Sequence, residues 1–307
     1  MQHAIDNINA AAPWFFPVCV FAAGACIGSF LNVCIIRIPL GESVARPRSR
    51  CRACGAAIPW RFNMPIFGWL ILRGRARCCG AAFSWRYPFV ELLTALLFVA
   101  CWQVFAPVSA AKALCGMVFA SALVCATFTD IDHFQIPNVF TIGLAMAGVA
   151  LSFAVPALHG QAHGFFAVAA FRSGLLGFAG MIAGSGLLLW IALVAEALLR
   201  KEAMGFQDVL FIGAIGAFCG WQGAVFSIFG GATLGAAWLL CALAWSGLRG
   251  KKITARPLDE GAPARELGLA SHIPFGPMLA AGALLYFFWL HRWLDPRLAD
   301  IARLLWR

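Results

Sequence analysis

A chain of 307 residues that is 62% hydrophobic and only 12% charged cannot be one water-soluble domain, in which about a quarter of residues are charged. Its net charge of +10 gathers between apolar runs, where Lys and Arg orient membrane spans. It therefore reads as a topology signal, and no nucleic-acid partner is expected.

The apolar residues fall in runs of roughly 17–25, the length that crosses a hydrocarbon layer of about 30 Å as helix. In chain order they predict eight spans, at about 14–36, 88–106, 109–128, 138–156, 174–198, 208–222, 224–247 and 274–291. The expected fold is an all-α polytopic transmembrane bundle. Four parts follow: a first span at 14–36, a Cys/Arg-rich cytoplasmic insert at 37–87, a bundle at 88–291 and a tail at 292–307. The sequence MQHAIDNINA ahead of the first span has no Lys or Arg. It lacks the basic region of a secretory signal, so the first span is expected to be retained. Pairs of small residues four apart (Gly24 and Gly28, Gly180 and Gly184, Gly231 and Gly235) are read as helix-packing positions. No internal repeat is apparent.

The insert holds ten Arg, at 37, 46, 48, 50, 52, 61, 73, 75, 77 and 86. Placing it inside puts the N-terminus outside and leaves seventeen Lys and Arg inside against six outside. The four Arg of the tail fit this scheme poorly and suggest an amphipathic segment on the membrane surface. Asp130 then lies at the inner end of the third span and Asp208 at the inner start of the sixth. Neither was used to set the orientation.

Most cysteines sit in or beside apolar runs and act as small hydrophobes. Cys51, Cys54, Cys78 and Cys79 lie instead in the insert. In a reducing cytosol, metal binding suits them better than disulfides. Cys51-Arg-Ala-Cys54 is a sound zinc knuckle, whereas Cys78 and Cys79 are adjacent and lack the spacing of a second one.

The two aspartates carry the chemistry. A carboxylate at the edge of a bilayer-length segment is a functional candidate. Asp130 stands in FTDIDHFQIPN, where Pro137 must end the third span near 130–136. Asp132 is about 200° away around a helix, so both cannot face one site while the helix persists. Asp208 follows Met204-Gly205-Phe206-Gln207, a position that also suits a helix cap. On the residues alone, a solvated helix end and a cap remain open beside catalysis. If the two carboxylates meet, they cannot both be ionised cheaply. One then takes a proton from water while the other, protonated, polarises a carbonyl.

The chain resembles the type IV prepilin peptidases, bifunctional leader peptidases and N-methyltransferases. The resemblance rests on GSFLNVCIIRIPLGESVARPRSRCRACGAAIPWRFNMPIFGWLILRGR at 28–75, SWRYPFVELL at 84–93, FTDIDHFQIPN at 128–138, EAMGFQDVLFIGAIGAFCGWQ at 202–222 and IPFGP at 273–277. It implies Asp130 and Asp208 as catalytic residues, with Asp132, Gly205 and Gln207 around them. It implies type IV prepilins or pseudopilins as partners beside the lipid bilayer, and a bacterial cytoplasmic membrane with the site facing the cytoplasm. S-adenosylmethionine is the implied methyl donor. The Arg-rich stretches at 46–52 and 73–77 are candidates for its carboxylate, although topology and lipid contact explain them better. Three departures stand out. Gln207 replaces the second Gly of a Gly-x-Gly-Asp motif, and Leu210 stands where Lys is common. Ala76 takes the first place of the second CxxC, which leaves zinc resting on Cys51, Cys54, Cys78 and Cys79. On this reading Gln207→Gly is expected to preserve or raise activity. A pilin-binding scaffold without catalysis and a proton-coupled transporter are the alternatives.

Overall fold

The computed structural model describes residues 2–46, 49–51, 53–59, 62–161, 164–200, 204–249, 254–255, 265–266 and 274–305. Arg48, Arg52, Arg61, Lys201, Glu202 and most of 250–273 lie outside the described residues. So does Ile273, the first residue of the IPFGP motif. Apart from a two-residue antiparallel pair, Thr254–Ala255 with Arg265–Glu266, every described element is helical, as expected.

The helices are α1 (Gln2–Ala11), α2 (Phe15–Arg37), α3 (Phe67–Ile71), α4 (Arg86–Phe105), α5 (Ala110–His133), α6 (Leu144–Ala154), α7 (Phe166–Leu199), α8 (Phe206–Arg249), α9 (Gly276–Leu285) and α10 (His291–Leu305). Single π-helical turns, Val139–Gly143 and Tyr286–Leu290, lead into α6 and α10. Five helical stretches are long and apolar enough to cross a membrane: α2, α4, α5, α7 and Phe206–Ala242 of α8, the last interrupted at Gly220. The expected fourth span is a shorter apolar helix, Val139–Ala154, below the ~20 residues that a bilayer requires. The chain divides into two compact units, Met1–Thr129 with Ala147–Leu175, and Asp130–Met146 with Leu176–Arg307.

In the first unit α2 packs along α4. The approach is close because Gly24 and Gly28 have no side chain. A Cβ on either would come within 2.7 Å of the Cα of Ala95 or Glu91, which is the packing role expected of such pairs. The insert docks on α4 through Glu91, whose carboxylate accepts the Ile66 N–H at 2.6 Å. Asn32 of α2 donates to the Tyr87 carbonyl at 3.1 Å.

The insert contains a repeat that the sequence reading did not find. Cys51 N–H donates to the Ala56 carbonyl at 2.8 Å, and Gly55 N–H to the Cys51 carbonyl at 2.8 Å. Twenty-five residues later the pattern recurs: Ala76 N–H to Ala81 at 2.7 Å, and Gly80 N–H to Ala76 at 2.7 Å. Bridges Arg50–Ala57 and Arg75–Ala82 close the two loops. Gly55 and Gly80 take the same left-handed conformation, φ 72° and 73°, which a side chain would strain. Only one side chain in the repeat's first place is a thiol, so a search for paired CxxC passes over it.

In the second unit the residues of α8 on either side of Gly220 fold back on each other. Gly220 has φ 69° and ψ 178°, a conformation open mainly to glycine. Gly184 of α7 lies against both Ile212 and Ala224, and Gly180 against both Gly216 and Gly220. In a straight helix Ile212 and Ala224 would be about 18 Å apart, so the chain reverses at Gly220. The expected sixth and seventh segments, 208–222 and 224–247, are thus the two arms of one helical hairpin. α9 packs on the second arm, where Ser227 Oγ donates to the Leu279 carbonyl at 2.6 Å. The tail forms α10, which begins at His291, one residue before the expected start at 292.

Candidate active site

The site lies within the second unit. Helix α5 ends at His133, three residues before the limit set by Ile136-Pro137. Phe134 then takes a left-handed conformation, φ 52°, and its N–H closes the helix on the Asp130 carbonyl at 2.9 Å. A left-handed residue after the last turn is a common helix stop. It is costly for a side chain of this size, about 1–3 kcal/mol, and so must be held by its surroundings.

Asp130 is 6% exposed. Its Oδ2 accepts the Gly276 N–H at 2.9 Å, which places the carboxylate on the N-terminus of α9, where free N–H groups favour negative charge. A Cβ on Gly276 would lie 2.7 Å from that same oxygen, so a side chain there would push the carboxylate aside. Asp208 stands on the first turn of α8, its N–H bonded to the Gly205 carbonyl at 3.1 Å. Asp130 and Asp208 lie within electrostatic reach of each other. Two acidic residues 78 positions apart in the chain are thus neighbours in this unit.

Gln207 does more than fill space. Its Oε1 accepts the Ile136 N–H at 2.7 Å. Ile136 is 1% exposed, and a buried N–H left without a partner costs about 1–3 kcal/mol. Gly205 makes a smaller demand: a Cβ there would meet Asp208 Oδ2 at an ordinary 3.7 Å. Asp132 is exposed while Asp130 is buried, as their 200° separation on a persisting helix requires. Sequence reasoning missed Gly276. The signal was present in Phe275-Gly276-Pro277, a Gly-Pro step that opens a helix, but nothing local says which side chain that N–H receives.

The four insert cysteines form a second cluster. Their Sγ atoms all lie within 4.8 Å of one another, with Cys54–Cys78 at 3.3 Å and Cys51–Cys79 at 3.6 Å. Four thiolates so placed fit one tetrahedral zinc ion with Zn–S bonds of about 2.3 Å. Backbone N–H groups of Cys54 and Ala53 push the Cys51 thiol down to about 6, which favours the metal-binding thiolate. Hydrogen bonding to Cys54, with burial and its other thiol neighbours, pushes Cys78 up to about 12. Ala76 is buried in the second loop as Cys51 is in the first. Cys78, two residues on, supplies the thiol that Ala76 lacks.

Residues 22–105 match the model of the Bacterial Peptidase A24 N-terminal domain, and residues 117–240 that of the Type IV leader peptidase family. The chain is 36% identical to the Prepilin leader peptidase/N-methyltransferase of Myxococcus xanthus (strain DK1622), over 81% of this chain and 70% of that protein. The chain belongs to the type IV leader peptidase family. It is 32% identical to the Prepilin leader peptidase/N-methyltransferase of Aeromonas hydrophila, over 92% of this chain and 94% of the relative. It is 37% identical to the Type 4 prepilin-like proteins leader peptide-processing enzyme of Escherichia coli O78:H11, over 68% and 78%. No solved structure matches. The protein is a peptidase, and the aspartates lie in the segment that matches the Type IV leader peptidase model.

Proposed function

We propose that this peptidase removes the basic leader from type IV prepilin-like precursors, and that Asp130 and Asp208 activate the attacking water. The observation that carries this reading is the buried Asp130 carboxylate, fixed by Gly276 N–H and within electrostatic reach of Asp208. One member of the pair accepts a proton as water attacks the scissile carbonyl. The other, protonated, donates to the carbonyl oxygen. Collapse of the tetrahedral intermediate then breaks the C–N bond as the leaving amine takes up a proton. The pair titrates as a unit, so acid and base are not assigned to one residue each.

The precursor lays its apolar N-terminal helix against the apolar faces of the bundle, with its leader at the inner membrane surface. The excess of Lys and Arg in the insert supports a cytoplasmic-facing site and an outward N-terminus in a bacterial cytoplasmic membrane. A transporter reading has less support. Among the described residues the buried acids are Asp130 and Glu91, and Glu91 is engaged with Ile66, so no chain of carboxylates crosses the bundle.

The names of the relatives also support N-methylation of the newly exposed amine, with S-adenosylmethionine as donor. Cys51, Cys54, Cys78 and Cys79 would hold zinc, which would brace an insert too small to build much core. Purified protein is expected to carry one zinc per chain by elemental analysis, and Cys51→Ser or Cys78→Ser to lose most of it. The double variant Ala76→Cys/Cys78→Ala is expected to retain it, because position 76 repeats the backbone of Cys51. Loss of zinc from that double variant would show that the two loops are not equivalent.

Co-expression with a prepilin, followed by mass spectrometry of its N-terminus, tests cleavage and methylation together. A shortened and methylated chain is expected. An intact leader beside well-expressed, membrane-inserted protein would contradict the peptidase reading.

A further inference from the structure

Gln207 and Ile136 are 71 residues apart, yet the Gln207 amide oxygen receives the Ile136 N–H at 2.7 Å. The bond joins the two segments that carry the aspartates. Gln207 is the neighbour of Asp208 on the first turn of α8. Ile136 lies six residues after Asp130, beyond the left-handed turn at Phe134. Pro137 has no N–H to offer and α5 has already ended, so the buried Ile136 N–H has no helical partner. A glycine at position 207 could not supply one.

We propose that Gln207 is a positioning residue, a latch that fixes the spacing of Asp130 and Asp208. Asp130 is then held from two sides: by Gly276 at its carboxylate, and by Gln207 through the turn that follows it. The amide oxygen of Gln207 is engaged by the Ile136 N–H, and the role proposed for it is in holding the two aspartates, not in binding the precursor. Its loss therefore slows the chemical step and leaves substrate binding unchanged, since effective catalysis depends on reacting groups held within a fraction of an ångström. This inference rests on the peptidase reading above for its effect on rate, but not for the latch itself. It also reverses the expectation drawn from sequence, that glycine would serve as well at 207.

Two variants and two readouts test it. Gln207→Met keeps the length and bulk of the side chain and removes the acceptor, and Gln207→Gly removes the side chain. Both are expected to lower kcat for prepilin cleavage tenfold or more with KM within twofold. Hydrogen–deuterium exchange of the peptide containing Ile136 is expected to quicken in both, with peptides from α4 unchanged. Wild-type kcat in Gln207→Met, a loss confined to KM, or unchanged exchange at Ile136 would overturn the proposal. If the wild-type protein cleaves no prepilin, the peptidase reading fails separately. The exchange comparison then decides whether the latch exists.

Discussion

Asp130→Asn and Asp208→Asn are each expected to reduce prepilin cleavage by a factor of 10³ or more while the protein remains folded in membranes. Proton transfer by a positioned side chain contributes about 10²–10⁴-fold, and an amide cannot carry the proton in either direction. The fold should survive because the amide oxygen introduced by Asp130→Asn can still accept the Gly276 N–H that Asp130 Oδ2 accepts now. Asp208 stands on the first turn of α8, and Asn is tolerated near helix starts. Cleavage of a co-expressed prepilin, with membrane yield as the control, measures both effects. Retention of cleavage by either variant would remove that aspartate from the chemistry.

Gly276→Ala is expected to cost about 10²-fold in cleavage, though the residue bears no reactive group. An added Cβ would sit 2.7 Å from Asp130 Oδ2 and 3.0 Å from Ile136 Cδ1. Ile136 is buried and cannot yield freely, so the carboxylate must move. A displacement of about 1 Å at a reacting group typically costs this much. The predicted loss falls on kcat. Wild-type rates for Gly276→Ala would mean that the Asp130 carboxylate tolerates displacement and that α9 does not set its position.

The fold was largely legible because apolar runs of bilayer length need no partner to be recognised. The carboxylates were legible for the opposite reason: Asp130 and Asp208 are conspicuous at the ends of such runs. What stayed hidden depends on contacts between distant residues. The Asp130–Gly276 bond spans 146 positions, and the Gln207–Ile136 bond spans 71. No local pattern pairs them. Gln207 looked like a defect in a motif because its partner lies in another segment. The hairpin was half-visible: the gap between the sixth and seventh segments fell near Gly220, but only the contacts of Gly180 and Gly184 fix the reversal there.

The claim on which the rest depends is that two acidic side chains work as one. A cleavage assay comparing Asp130→Asn, Asp208→Asn and the double variant tests it most directly. Groups that act as a unit are strongly non-additive. All three proteins are therefore predicted to share the same residual rate. Losses that multiply in the double variant, or near-normal cleavage by either single variant, would contradict a shared catalytic pair.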